Sequence, residues 1–111
     1  MSSLIQFKSF TVSSQGTTTL LSPRDSKGKL MIYSVLYNPN ADVTGEIQIL
    51  LGNDIKSGAR NPKTGALYGF NHHPNFVLSG VGESLKVVLP SATATTIDVA
   101  WKEAPAFSKE T

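Results

Sequence analysis

HPNFVLSGVGESLKVVLPSATATTIDVAWKE, the stretch from His73 to Glu103, decides the fold. After Pro74, Phe76 to Leu78 reads as a short strand. Gly80-Val81-Gly82-Glu83 then has the composition of a turn, because glycine reaches backbone conformations closed to other residues. Leu85, Val87 and Leu89 alternate with Lys86 and Val88, and Ile97, Val99 and Trp101 alternate with Asp98, Ala100 and Lys102. A period of two places one set of side chains on one face of a sheet. Pro90-Ser91-Ala92-Thr93-Ala94 breaks the run between them. The stretch is a β-meander, and Trp101 is expected in or beside a core.

The same grammar extends upstream, with short apolar blocks separated by Gly, Pro, Asn, Asp and Ser clusters and no helical stripe. Leu4 to Val12 alternates loosely and ends at Ser13-Ser14-Gln15-Gly16. Thr17 to Leu21 is a β-branched strand, and Ser22 to Gly28 is a breaker-rich loop. Lys29 to Tyr37 is the strongest strand and is apolar on both faces. Strict alternation sends Leu30, Ile32, Ser34 and Leu36 one way and Met31, Tyr33, Val35 and Tyr37 the other. The Tyr33 and Tyr37 face therefore needs either a loop of its own chain over it or a neighbouring subunit, since tyrosines suit half-wet interfaces. Asn38 to Asp42 turns the chain. Val43 to Leu51 is a half-buried strand with Ile47, Ile49 and Leu51 on one face.

Gly52 to Gly69 reads as the longest irregular stretch, and loops of that length usually carry function or are flexible. It holds Lys56, Arg60 and Lys63, and it leads into Tyr68, Phe70, His72 and His73. Basic residues beside aromatics can contact nucleic acid, acidic protein or glycan. The plainer alternative is a solvated loop whose aromatics tuck back over the sandwich. His72 and His73 are neighbours on extended chain and project to opposite faces, so no metal site is expected of them.

The 111 residues suit one domain: a β-sandwich over 1–103 followed by a C-terminal arm, 104–111, in which Phe107 could anchor on a neighbour. Ten Lys and Arg against eight Asp and Glu give a formal charge of +2. That balance is too small for a protein that tracks phosphates, so nucleic acid is not the expected partner. No apolar run approaches the roughly 20 residues that cross a bilayer, and no signal peptide is visible. A chain without cysteine has no disulfide and no thiolate nucleophile or ligand. No Gly-x-Ser-x-Gly elbow is present, and Gly80-Val81-Gly82 precedes a strand rather than the helix N-terminus that a phosphate loop requires. No enzyme activity and no cofactor are expected.

Strands of this length and spacing predict an all-β, antiparallel two-sheet sandwich, jelly-roll-like or alternatively immunoglobulin-like. The order of the Lys29 to Tyr33 strand, the Tyr37-Asn38-Pro39-Asn40-Ala41 turn, Ile47 to Leu51, His73-Pro74-Asn75-Phe76-Val77, Gly80 to Val87, Ser91-Ala92 and Ile97 to Glu103 resembles small structural proteins of tailed bacteriophages. The resemblance implies a compact β-sandwich that decorates or cements a capsid, or forms part of a fibre or tail. It also implies a homo-oligomer, often a trimer, bound to the major capsid protein or another virion protein, made in the host cytoplasm and located in the virion. The residues themselves offer Tyr33, Tyr37, Lys56, Arg60, Lys63, Tyr68, Phe70, His72 and Phe107 as partner contacts. A carbohydrate-binding or receptor-binding module, stacking sugars on Tyr68, Phe70 and Trp101, is the alternative.

Overall fold

Alternating apolar residues can be buried only if two sheets face each other, and that is how the strands pair. The structure, a computed structural model, describes residues 4–104. Among them run β1 (Gln6–Val12), β2 (Gly16–Leu21), β3 (Lys29–Pro39), β4 (Glu46–Leu51), β5 (Asp54–Arg60), β6 (Tyr68–Asn71), β7 (Val77–Leu78), β8 (Leu85–Leu89) and β9 (Thr95–Ala104). One sheet has the order β1-β9-β3-β6, with β7 also paired to β3; the other has the order β2-β8-β4-β5. Every ladder is antiparallel.

The order identifies the topology. Apart from the two-residue β7, the strands pair outermost with outermost and inward in turn: β1 with β9, β2 with β8, β3 with β6, and β4 with β5. Successive pairs fall alternately in the two sheets. A long antiparallel hairpin rolled up in this way is a jelly roll, and the strand order rules out the immunoglobulin arrangement. β9 runs to Ala104, one residue into the expected arm; Phe107 lies outside the described residues.

The core lies between the sheets. Leu85, Val87 and Leu89 from β8 meet Ile97, Val99 and Trp101 from β9, as their alternation predicts. Ile47, Ile49 and Leu51 join them from β4, all within 2% of complete burial. Each such side chain removed from water contributes about 1.5–3 kcal/mol before the entropy of ordering is subtracted.

β3 departs from the expectation. The β3–β9 register shifts between Ile32, opposite Trp101, and Ser34, opposite Ala100, leaving Tyr33 as the extra residue of a bulge. The bulge reverses which face each later residue takes. Leu30 and Ile32 point into the core ahead of it, and Val35 and Tyr37 point in after it, all four fully buried. Ser34 and Leu36 therefore lie on the outer face. The strand looked apolar on both sides because one inward stripe changes parity half-way along.

The irregular stretch expected after Gly52 is instead largely a strand. Gly52 and Asn53 form a two-residue loop between Leu51 and Asp54, and Gly52 has the positive φ, 65°, that such hairpin loops favour. β5 follows with only Ser57 and Ala59 turned inward, opposite Ile49 and Ile47. Two small residues on the inner face leave almost no hydrophobic alternation to read.

Ser57 has a partner in the other sheet. Its Oγ lies 3.0 Å from the Tyr37 hydroxyl, a hydrogen bond that ties β5 to β3 through the core. Burial pushes the Tyr37 phenol above its ordinary value of 10.0; the bond to Ser57 works against the shift, and Glu46 and Tyr68 add to it. A phenol whose folded pKa is raised keeps its contribution to stability below pH 10.0 and loses it as pH rises from there through the folded value. Tyr37→Phe should cost about 1 kcal/mol at neutral pH, through the lost hydrogen bond. It should also remove part of the alkaline loss. Urea titrations of both proteins at neutral pH and near pH ~11 measure the two effects, and equal slopes against pH would contradict the second.

Candidate functional site

Two surfaces compete for the role of interaction site. The first is the segment that the sequence singles out, from Lys56 to His73. Its residues do not converge on a single face. Lys56 and Arg60 lie exposed on the edge strand β5, with Arg60 opposite Glu46 in the ladder. Lys63 sits in the turn after β5 and pairs with Asp42 at 3.7 Å. Both of those side chains are well exposed, so the pair contributes little.

That turn is held as scaffold. Val43 donates its N–H to the Pro62 carbonyl, and Gly45 donates to Asn61 Oδ1 at 2.8 Å. Thr64 donates to Asp42 Oδ1, and the Asn38 amide donates to the Ala66 carbonyl. The Lys63 N–H donates to the Tyr68 hydroxyl at 2.8 Å. The first four of these bonds fasten residues 61–66 to the chain around Asn38 to Gly45, and the last ties the turn to β6.

The aromatics of β6 turn inward. Tyr68 faces Tyr37 and Phe70 faces Val35 across the β3–β6 ladder, and both rings pack on the core. The plainer reading of this segment, aromatics tucked back over the sandwich, is the one the geometry supports. His72 is exposed and stacks on Phe70 with centroids 4.9 Å apart, while His73 leans on Tyr33 at 5.7 Å. The two histidines take different partners, although they sit in a turn rather than on extended chain: the His73–Pro74 bond is cis and the Asn75 N–H donates to the His72 carbonyl. Among the described residues no three His, Cys, Asp or Glu side chains gather where they could hold a metal ion.

Tyr33 and Tyr37 do not form a shared outer face. Tyr37 is 0% exposed inside the sandwich and cannot touch a partner, which corrects its assignment as a contact residue. Tyr33 lies apart from the core cluster but is 5% exposed, covered by its own chain. The segment after β6 crosses it: His72 donates its N–H to the Tyr33 carbonyl, Phe76 packs 5.6 Å from the ring, and the Lys102 ammonium approaches the ring centroid at 6.0 Å. The bulge separated the two tyrosines. Glu83 is likewise structural, since its carboxylate accepts the Gly80 N–H at 2.7 Å and closes its own turn.

The second surface is the outer face of the β1-β9-β3 sheet. Phe7 stands opposite Ala100, and Ser9 opposite Asp98; Ser34 and Leu36 of β3 flank the same two β9 residues. Between Phe7 and Leu36 lies an open cavity of about 460 Å³, floored by Ser34, Asp98 and Ala100. Phe7 is 78% exposed, although phenylalanine is among the residues most often buried. Pattern reading passed over Phe7. Its signal was the odd spacing of Phe7 and Phe10 on one strand, which cannot place both rings in the core.

Comparison with known proteins adds no assignment to this geometry. The chain matches no family model, no curated protein and no solved structure.

Proposed function

We propose that the protein is a non-enzymatic structural component of a virion, one that decorates or cements a tailed-phage head through protein–protein contacts and acts as a homo-oligomer. The observation that carries this reading is the outer face of the β1-β9-β3 sheet, where Phe7 projects from an edge strand beside an apolar cavity. Exposed apolar surface of this kind marks interaction sites. Jelly rolls build viral shells and also lectins and cupins, so the topology supports the reading by analogy only.

The sugar-binding alternative loses its best platform. Trp101 is 7% exposed and faces the core, and Tyr68 and Phe70 also turn inward. Trp101 emission should accordingly resist acrylamide quenching and stay unchanged on titration with mono- and oligosaccharides. A saccharide-dependent shift would return the glycan reading to first place.

Light scattering of the purified protein mixed with heads of the encoding phage lacking this chain tests the proposal. Saturable binding to heads and none to isolated tails is the expected result. No affinity for heads contradicts it.

A further inference from the structure

The edges of the two sheets differ in how they are guarded. An edge strand exposes a row of unpaired N–H and C=O groups, and proteins blunt such edges with bulges, charges, proline or brevity. β5 carries a register shift and the charges of Asp54, Lys56 and Arg60. β2 has a register shift between Thr19 and Leu21, β6 is four residues long with Gly69 inside it, and β7 has two residues. β1 pairs with β9 over seven residues in unbroken register, and it contains no proline. Its single charge, Lys8, lies along the strand with Nζ 5.1 Å from the Phe10 ring centroid. Among the described residues, no backbone bond outside the β9 ladder reaches Gln6–Val12.

We infer that the free edge of β1 is a self-pairing surface, on which a second copy of this chain lays its own β1 antiparallel about a twofold axis at Ser9. The occupant follows from the edge's own chemistry. Outward backbone groups alternate along the strand, so facing residues must have numbers that sum to an even value. A register centred on Lys8 opposes two ammonium groups. One centred on Phe7 or Phe10 leaves part of the strand unpaired. The Ser9 register pairs all seven residues of Gln6–Val12 and sets Lys8 opposite the second copy's Phe10, extending a cation–π contact already present within the strand. It also brings the second copy's Thr11 beside Phe7, covering part of its exposed ring. A twofold contact of this kind closes at two copies, so the assembling unit is a dimer rather than the trimer implied by the phage resemblance. This inference does not depend on the capsid reading, because its test uses the purified chain alone.

Sedimentation equilibrium of the full chain from about 1 to about 200 µM, a range bracketing modest interface affinities, should show mass rising toward twice the 11.9 kDa chain mass. Ser9→Lys sets two ammonium groups face to face at the twofold, while within one chain the new lysine lies opposite Asp98 and is tolerated. It should weaken association roughly tenfold or more with the near-ultraviolet signal of Trp101 retained. Since the chain has no cysteine, Ser9→Cys reports the register directly. On mild oxidation it should form a disulfide-linked dimer, whereas Thr11→Cys, four residues out of register with its own copy, should not. A wild type that stays monomeric throughout overturns the inference, as does Ser9→Lys associating like wild type or Thr11→Cys linking as readily as Ser9→Cys.

Discussion

A chain with one alanine inserted between Ser34 and Val35 should not reach the native fold. The bulge is what lets Leu30 and Ile32 share the core with Val35 and Tyr37, and a residue added past it sends every later position of β3 to the opposite face. Val35 and Tyr37, both 0% exposed, would turn to solvent, and Asn38 would be driven inward, away from the Ala66 carbonyl it now bonds. Two large side chains lost from the core and one amide buried there cost about 5 kcal/mol or more. That is comparable to the whole stability of a small domain. Deletion of Tyr33 provides the contrast: Ile32 and Ser34, already opposite the neighbours Trp101 and Ala100, become consecutive and every later residue keeps its face. Only the packing against His73 and Phe76 is lost, so the deletion variant should fold at a cost of about 2–4 kcal/mol. Circular dichroism and urea titration of the pair separate parity from packing. A folded insertion variant with wild-type near-ultraviolet signal would contradict this reading of the strand.

Gly69→Ala should be nearly as damaging, although it adds one methyl group at an exposed position. Gly69 has φ of 117°, where side chains are strained, and it crosses β3 closely. A Cβ there would overlap the Val35 carbonyl oxygen and come within 3.1 Å of the Leu36 Cα. These are backbone atoms of a central strand, so β6 must move away. Strain and overpacking together cost about 3–5 kcal/mol. Displacing β6 would also lift Tyr68 and Phe70 from Tyr37 and Val35. A urea midpoint shift corresponding to less than about 1 kcal/mol would contradict this account of the crossing.

These two positions mark the limit of what the sequence discloses. The meander was legible because β8 and β9 place large apolar residues at every second position and polar or small ones between, and the same rule located Trp101 in the core. The jelly-roll class followed from strand spacing, although the pairing order that excludes the immunoglobulin arrangement depends on contacts distant in sequence. The bulge at Tyr33 left no trace, because a non-glycine residue occupies it and apolar side chains surround it on both sides. β5 was hidden by Ser57, Gly58 and Ala59, whose small size erases alternation; the Gly52-Asn53 pair between Leu51 and Asp54 was the hairpin signal that could have revealed it.

The candidate site was less legible than the fold for the same reasons. Aromatic and basic residues from Lys56 to His73 suggested a contact surface, yet Tyr68 and Phe70 serve the core, and Lys63 belongs to a turn fastened to Asp42. The surface left open, around Phe7 and the edge of β1, is set by which strand ends the sheet. Strand order fixes that edge, and no local pattern encodes strand order.

The central claim is that this jelly roll serves as a building piece of a virion head. Electron cryomicroscopy of native particles of the phage that the proposal implies as its source, compared with particles assembled without this chain, tests it most directly. The account predicts density of jelly-roll size repeating on the head lattice of the complete particle and missing from the other. Density confined to the tail tip, or no difference between the two particles, would contradict it.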